Sequence, residues 1–296
     1  MTPGAVLRSA IAERVLQVPG APSALLGKLI ERMGFEAIYL SGASFSTNIL
    51  GLPDIGLFTL TELAQHTAYL TRSVNLPVIV DADTGFGEAV NVERTIQELE
   101  RAGAAAIQLE DQQLPKRCGH LSGKQLVSPE AMCEKLRAAV NARQDEDLVV
   151  IARTDARGGE GLEAAIERAR LYLEAGADWI FPEALRTPEE FARFAEAIHA
   201  PLVANMTEFG QSPLLLASEL AELGYSVILY PVTLQRVAMK AAEAALATIA
   251  TDGTQRDLLD LMQTREELYD LIGYQDFAER DRVYFGSRTA SEEDPS

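Results

Sequence analysis

The stretch "PVIVDADTGFGEAVNVERTIQELERAGAAAIQLED", Pro77 to Asp111, decides the fold. An apolar run, Val78 to Val80, breaks into two carboxylates, Asp81 and Asp83. A glycine-bearing loop follows, then "NVERTIQELERAG" with apolar residues at helical spacing. A second apolar run, from Ala106, ends in Glu110 and Asp111. Runs that are apolar on both faces suit parallel strands, and parallel neighbours require a crossover that is usually helical. The stretch reads as one strand–helix–strand unit.

Six more runs of this kind flank it: "VLQVP" from Val15, "AIYLS" from Ala37, "LVVIARTD" from Leu148, "WIFPE" from Trp179, "PLVANM" from Pro201 and "SVILYP" from Ser226. Helical patterns separate them; "GLEAAIERARLYLEAG" stops at Gly176, a C-terminal capping glycine. The alternation predicts an α/β fold, a (β/α)8 barrel, with the doubly wound open sheet as the alternative that the strand count disfavours. The expected organisation is a single barrel domain over 1–296. It carries a C-terminal helical extension at about 254–274 and a flexible polar tail at 286–296.

The chain has 296 residues, 47% of them hydrophobic, and a net charge of −18. That length supports a large core. The acidity excludes the cationic face that nucleic acids or anionic membranes need. No apolar run reaches membrane-spanning length, and the first twenty residues are too polar for a signal core. Cys118 and Cys133 are too few for a disulfide framework and suit a reducing cytoplasm.

Nearly every run ends in a polar residue: Ser41-Gly42, Asp81 and Asp83, Glu110-Asp111, Arg153 and Asp155, Glu183, Asn205. In a barrel these C-terminal strand ends meet at one mouth. Asp81 and Asp83, two apart on an extended strand end, point the same way. With Glu110 they make an all-oxygen site of the kind that selects Mg²⁺, or Mn²⁺. One metal ligand plus one helix cap is the plainer alternative. Gly85 and Gly87 give the loop freedom to approach a ligand.

In "KRCGH", Lys116, Arg117 and His120 surround Cys118, and nearby cations make a thiol a usable proton donor or acceptor near neutral pH. A buried structural thiol is the alternative there. Cys133, on a helix opened by Ser-Pro-Glu, is the ordinary packing case. Positive charge from the metal, Lys116, Arg117 and Arg153 would let an acidic protein hold an anionic small molecule. No nucleophile elbow, P-loop or dinucleotide glycine fingerprint is present.

"PKRCGH" resembles the Lys-Lys/Arg-Cys-Gly-His signature of the isocitrate lyase and phosphoenolpyruvate mutase superfamily. "YLSGA", "GLPDIGL", "VDADTGFG", "LEDQ", "ARTDA", "FPEA" and "NMTEFG" follow the same family in order, so the resemblance spans about 15–274. It implies an α/β barrel whose last helix is exchanged with a neighbouring subunit, in a homotetramer. It implies Mg²⁺ on Asp81 and Asp83, with Glu110 helping through water and Asp54 and Asp111 in support. Ser41, Gly42 and Ala43 would bind a substrate carboxylate and oxygen. Arg153, His120, Asn205 and Thr207 would contact carboxylates, alongside Lys116, Arg117 and Gly119 of the loop. Tyr39 would sit near the substrate hydroxyl, and Glu183 would orient substrate or a proton-relaying group. The implied reaction is carbon–carbon cleavage of a 2-hydroxy tricarboxylate, with Cys118 as the proton donor and the loop Gln112 to Lys124 closing over the site. The same loop occurs in 2-alkylmalate lyases and oxaloacetate hydrolases, and carboxyphosphonoenolpyruvate mutase is another relative, so the substrate stays open. "LYP" at Leu229 to Pro231 favours a lyase, because the hydrolases tend to place a serine near that position.

Overall fold

The computed structural model describes residues 1–117, 119–120 and 123–289, with side chains through 285. Eight parallel strands form the centre: β1 (Leu16–Pro19), β2 (Ile38–Leu40), β3 (Val78–Asp81), β4 (Ala106–Glu110), β5 (Val149–Thr154), β6 (Trp179–Pro182), β7 (Val203–Asn205) and β8 (Val227–Tyr230). They pair as β2-β3-β4-β5-β6 and as β1-β8-β7. Single bridges, Gly20 to Tyr39 and Ile180 to Leu202, join the two arcs into a closed ring. The fold is a (β/α)8 barrel. Each run read from the sequence forms a strand, trimmed by a residue or two at its ends.

Side-chain parity divides the core in two, because alternate residues of a strand face opposite sides. Ile38, Leu40, Val78, Val80, Ile107, Val150 and Ile180 pack outward beneath the helices. Val18, Tyr39, Ile79, Ala106, Ile151, Trp179, Phe181, Val203 and Leu229 fill the interior. The N-terminal helix Pro3–Glu13 adds Leu7 to that interior cluster. Gly4 lets this helix approach closely, since a Cβ there would overlap the Asp147 carbonyl.

The helices stop and start as their caps dictate. Thr59 and Glu62 form a reciprocal capping box at Leu60–Thr71, and Ser128 caps Pro129–Ala142 by accepting from Ala131 N. Cys133 is buried on that helix. Leu162–Glu174 ends beside Gly176, whose φ of +104° is the left-handed conformation glycine adopts without cost.

Contacts group the chain into two units, Met1–Ala238 and Met239–Ser296. The second contains a 3₁₀ turn, Arg256–Leu261, then the helix Arg265–Ile272, capped by Thr264 and Glu267 and closed by Gly273. The helix Tyr274–Thr289 then runs past Gly286, where the sequence reading began the tail. Residues 290–296 of that expectation lie outside the described residues. No helix among the described residues is long and apolar enough to cross a membrane.

Candidate active site

The inward-facing ladder turns polar at the C-terminal rim. Ile79 is followed by Asp81, Ala106 by Gln108 and Glu110, Ile151 by Arg153, Phe181 by Glu183, and Val203 by Asn205. The strands thus deliver these residues by register alone. They surround a cavity of about 90 Å³ that opens at the rim. Tyr39, Ser41, Ala43, Asp54, Asp81, Lys116, Arg117, Gly119, His120, Arg153, Glu183, Asn205 and Thr207 line it. Asp83 and Glu110 lie buried behind this wall, at 3% and 2% exposure, and Cys118 lies outside the described residues.

Asp81 ends its strand in extended geometry, but Asp83 does not: its φ is +49°. A turn, not strand parity, therefore aims Asp83. Gly85 N donates to Ala82 O at 2.9 Å, and Glu110 N donates to Asp83 O at 2.9 Å, which ties the turn to β4. Phe86, Ala184 and Phe209 also sit at positive φ just past strand ends. Non-glycine residues in that region cost free energy, and the rim concentrates them. Gly42 is needed for packing: its N–H donates to Asp81 Oδ2 at 3.1 Å, and a Cβ there would lie 2.8 Å from Asp83 Oδ1.

The acidic half has Lys116 at its centre. Its Nζ lies 2.6 Å from Asp54 Oδ1 and 2.5 Å from Asp83 Oδ1. So Lys116, expected to meet substrate, is engaged by carboxylates. Burial alone would lower its pKa, but Asp83, Glu110 and Asp54 outweigh it and push it well up. Burial pushes Asp83 up to about 7 against the pull of Lys116, and raises Glu110 well above the carboxylate range. Asp83 Oδ2 and Glu110 Oε1 have no hydrogen-bond donor among the described residues. Buried carboxylate oxygens without donors are the natural seat of a cation. No group of three or more His, Cys, Asp or Glu forms a ready metal cage among the described residues. Mg²⁺ does not need one, since it is held by one or two carboxylates with waters and substrate completing its shell. The oxygen set of Asp81, Asp83 and Glu110 therefore fits a hard divalent ion.

The basic half has Arg153 at its centre. Its guanidinium grips Asp155 through Nε at 3.0 Å and Nη2 at 3.2 Å, and stands 3.4 Å from Glu110 Oε2 and 3.6 Å from Glu183 Oε1. Burial would make Glu183 harder to ionise, but Arg153, His120 and Lys124 together hold it well below the usual carboxylate range. Asn205 Nδ2 donates to Glu183 Oε2 at 3.1 Å. His120 Nδ1 accepts from Gln211 N at 2.8 Å, so in the neutral ring Nε2 carries the proton; it lies 3.1 Å from Glu183 Oε1. Asp111 works from behind: its carboxylate accepts from Asp155 N, Thr154 Oγ1 and Tyr172 Oη at 2.8–2.9 Å.

Three polar contributors, Gln108, Lys124 and Arg236, were not among the site residues read from the sequence, and a fourth, Asp155, was read only as a polar strand end. Gln108 joins Tyr39 to Asp81, accepting from Tyr39 Oη at 2.9 Å and donating to Asp81 Oδ1 at 3.0 Å. Its signal was a lone amide inside an otherwise apolar strand, in register with Glu110. Asp155 and Lys124 form a buried pair at 2.7 Å. Arg236 lines the cavity from the helix after β8, where no sequence pattern marks it. Tyr39 is kept a neutral donor, since burial and then Asp81 raise its pKa.

The family model described as phosphoenolpyruvate phosphomutase matches residues 8–250. The chain is 58% identical over 280 residues to the 2-methylisocitrate lyase of Aeropyrum pernix, covering 94% of this chain and 90% of that one. The solved structure of 2,3-dimethylmalate lyase, a phosphoenolpyruvate mutase/isocitrate lyase superfamily member, superposes with a TM-score of 0.90 at 34% identity, covering 96% of each chain. Phosphonopyruvate hydrolase, solved with oxalate and Mg²⁺, gives 0.87 at 32% identity, covering 96% of this chain and 100% of that one. A barrel with one rim of converging carboxylates, matched over most of its length, belongs to the phosphoenolpyruvate phosphomutase family.

Proposed function

We propose that the protein is a Mg²⁺-dependent carbon–carbon lyase that cleaves 2-methylisocitrate, or a close 2-hydroxy tricarboxylate, to pyruvate and succinate. The observation that carries this reading is the split rim. Buried carboxylates at the ends of β3 and β4, with oxygens that find no donor among the described residues, stand beside a cavity that Arg153, His120 and Asn205 line. Its relatives support the same chemistry, with 2-methylisocitrate lyases at 58% and 44% identity.

Asp81 and Asp83 would hold the Mg²⁺, with Glu110 in support. When bound, the ion would supply positive charge that stabilises the substrate hydroxyl oxygen as a base takes its proton; that oxygen becomes the pyruvate carbonyl as the carbon–carbon bond breaks and the bonding pair passes to the carbon that becomes succinate. Ser41, Gly42 and Ala43 bind a carboxylate at the turn after β2. Arg153, Asn205 and Thr207 hold a second one, and Lys116, Arg117 and Gly119 complete the cationic wall. Tyr39, a neutral donor, stands near the substrate hydroxyl. Glu183 keeps its charge and fixes His120, which orients the loop segment next to Cys118. The Cys118 thiol gives its proton to the carbon that becomes succinate, and closure of Gln112–Lys124 keeps water from that carbanion. Leu229 and Pro231 present no hydroxyl to the cavity, which favours a lyase over a hydrolase.

The same reading places the enzyme in the methylcitrate cycle of propionate catabolism, in the cytoplasm. It makes the enzyme a homotetramer of single-barrel subunits with the last helix exchanged; a monomer mass by light scattering would sink that assembly. The test of function is a panel of 2-methylisocitrate, isocitrate, oxaloacetate, 2-ethylmalate and carboxyphosphonoenolpyruvate with Mg²⁺, products identified by mass. Pyruvate and succinate from 2-methylisocitrate, abolished by EDTA, are expected. Oxalate from oxaloacetate alone would overturn the lyase.

A further inference from the structure

Gln235 closes a hydrogen-bonded ring around the turn that follows β2. Its Oε1 accepts from Ser44 Oγ at 2.7 Å and its Nε2 donates to Thr47 Oγ1 at 2.8 Å. Thr47 Oγ1 donates in turn to the Ala43 carbonyl at 2.7 Å. The amide orientation follows from counting protons: Thr47 uses its only one on Ala43, so it must accept from the amide nitrogen. The amide oxygen is left for Ser44. Ser44 is 1% exposed, so removing Gln235 strips a buried hydroxyl of its partner.

The ring joins two segments of the rim. Ser41 and Ala43 line the cavity from the turn after β2. Arg236, the next residue after Gln235, lines it from the helix after β8, 3.4 Å from Glu208 Oε2 and over the Phe209 ring at 5.3 Å. Gln235 is absent from the cavity wall among the described residues.

We propose that Gln235 is a positioning residue that sets specificity: by tying Ser44 and Thr47 to the helix that carries Arg236, it fixes how these two rim segments are placed for a substrate large enough to contact both. This rests on the lyase reading above and adds the residue that gauges substrate length. A long tricarboxylate feels that placement; oxalate, too short to contact both, does not. Because the contact is the same in ground and transition states, the effect falls on KM and not on kcat.

The experiment compares wild type, Gln235→Leu, Gln235→Glu and Ser44→Ala/Gln235→Leu on 2-methylisocitrate at saturating Mg²⁺, with oxalate as competitive inhibitor. For Gln235→Leu, KM rises about tenfold with kcat within about twofold and the oxalate Ki within about twofold. Gln235→Glu, which keeps an acceptor for Ser44 but has no donor for Thr47, falls between. The double variant is no worse than Gln235→Leu, since both changes break one contact. An unchanged KM, a kcat loss without a KM change, or an oxalate Ki that rises with KM overturns the inference while wild-type turnover stands. Wild type inactive on 2-methylisocitrate overturns the lyase reading itself, and the inference with it.

Discussion

Val149, Ile151 and Arg153 face the same way from one strand, yet they belong to different worlds. The first two are packed among Trp179, Phe181 and Val227 in the barrel interior. Arg153, one step higher, is ringed by Asp155, Glu110 and Glu183. Both layers are almost fully buried, so burial does not separate them. What separates them is how the cost of desolvation is met: close packing below, and opposed charge above. The lower layer secures the fold, and the upper layer stores charge for a ligand.

The comparison breaks if the layers exchange effects on substitution. Asp83→Ala should lower kcat/KM with Mg²⁺ by about 10³-fold or more, because the proposed mechanism makes it a metal ligand. Its urea midpoint should hold near wild type, since relief of buried carboxylate crowding offsets the lost ion pair. A collapsed midpoint with proportionate activity would put Asp83 in the lower layer's role. Trp179→Ala should do the reverse, costing about 3–5 kcal/mol of stability by equilibrium unfolding. Its kcat, measured where the fold remains populated, should be near wild type.

Glu183 sharpens the contrast through pH. Its folded pKa is held below the ordinary value by Arg153, His120 and Lys124 against the effect of burial. It therefore contributes stability that is present above the unfolded value of about 4.3 and lost as pH falls toward the folded one. The stability gap between wild type and Glu183→Gln should shrink below about pH 4; a gap constant from pH 7 to 3 would refute the charge account. The smallest effect belongs to Ile151→Val, about 0.5–1.5 kcal/mol by urea unfolding with kinetics unaltered.

The sequence made the strands and most of the rim legible, for a physical reason. A strand buried on both faces cannot alternate, so its apolar run stands out, and a polar residue that ends it is conspicuous. Asp81, Glu110, Arg153, Glu183 and Asn205 were found that way. The turn that aims Asp83 was not, because left-handed backbone at an aspartate has no reliable sequence mark. Gln108 was hidden by apolar neighbours on both sides. Gln235 and Arg236 were invisible because a helix meets the rim through rotation about its axis, which depends on packing and not on local pattern. Lys124 and Asp155 stand 31 residues apart in sequence, and only the folded loop brings them together.

The close approach permitted by Gly4 has a further consequence. With Leu7 seated in an interior whose members are 0–2% exposed, the barrel is a well with a sealed floor. Fragments born at the rim therefore leave by the mouth and not through that floor, and one that lingers occupies the place the next molecule needs. Such a well builds queueing into turnover, and product inhibition patterns become a readout of which fragment sits deeper.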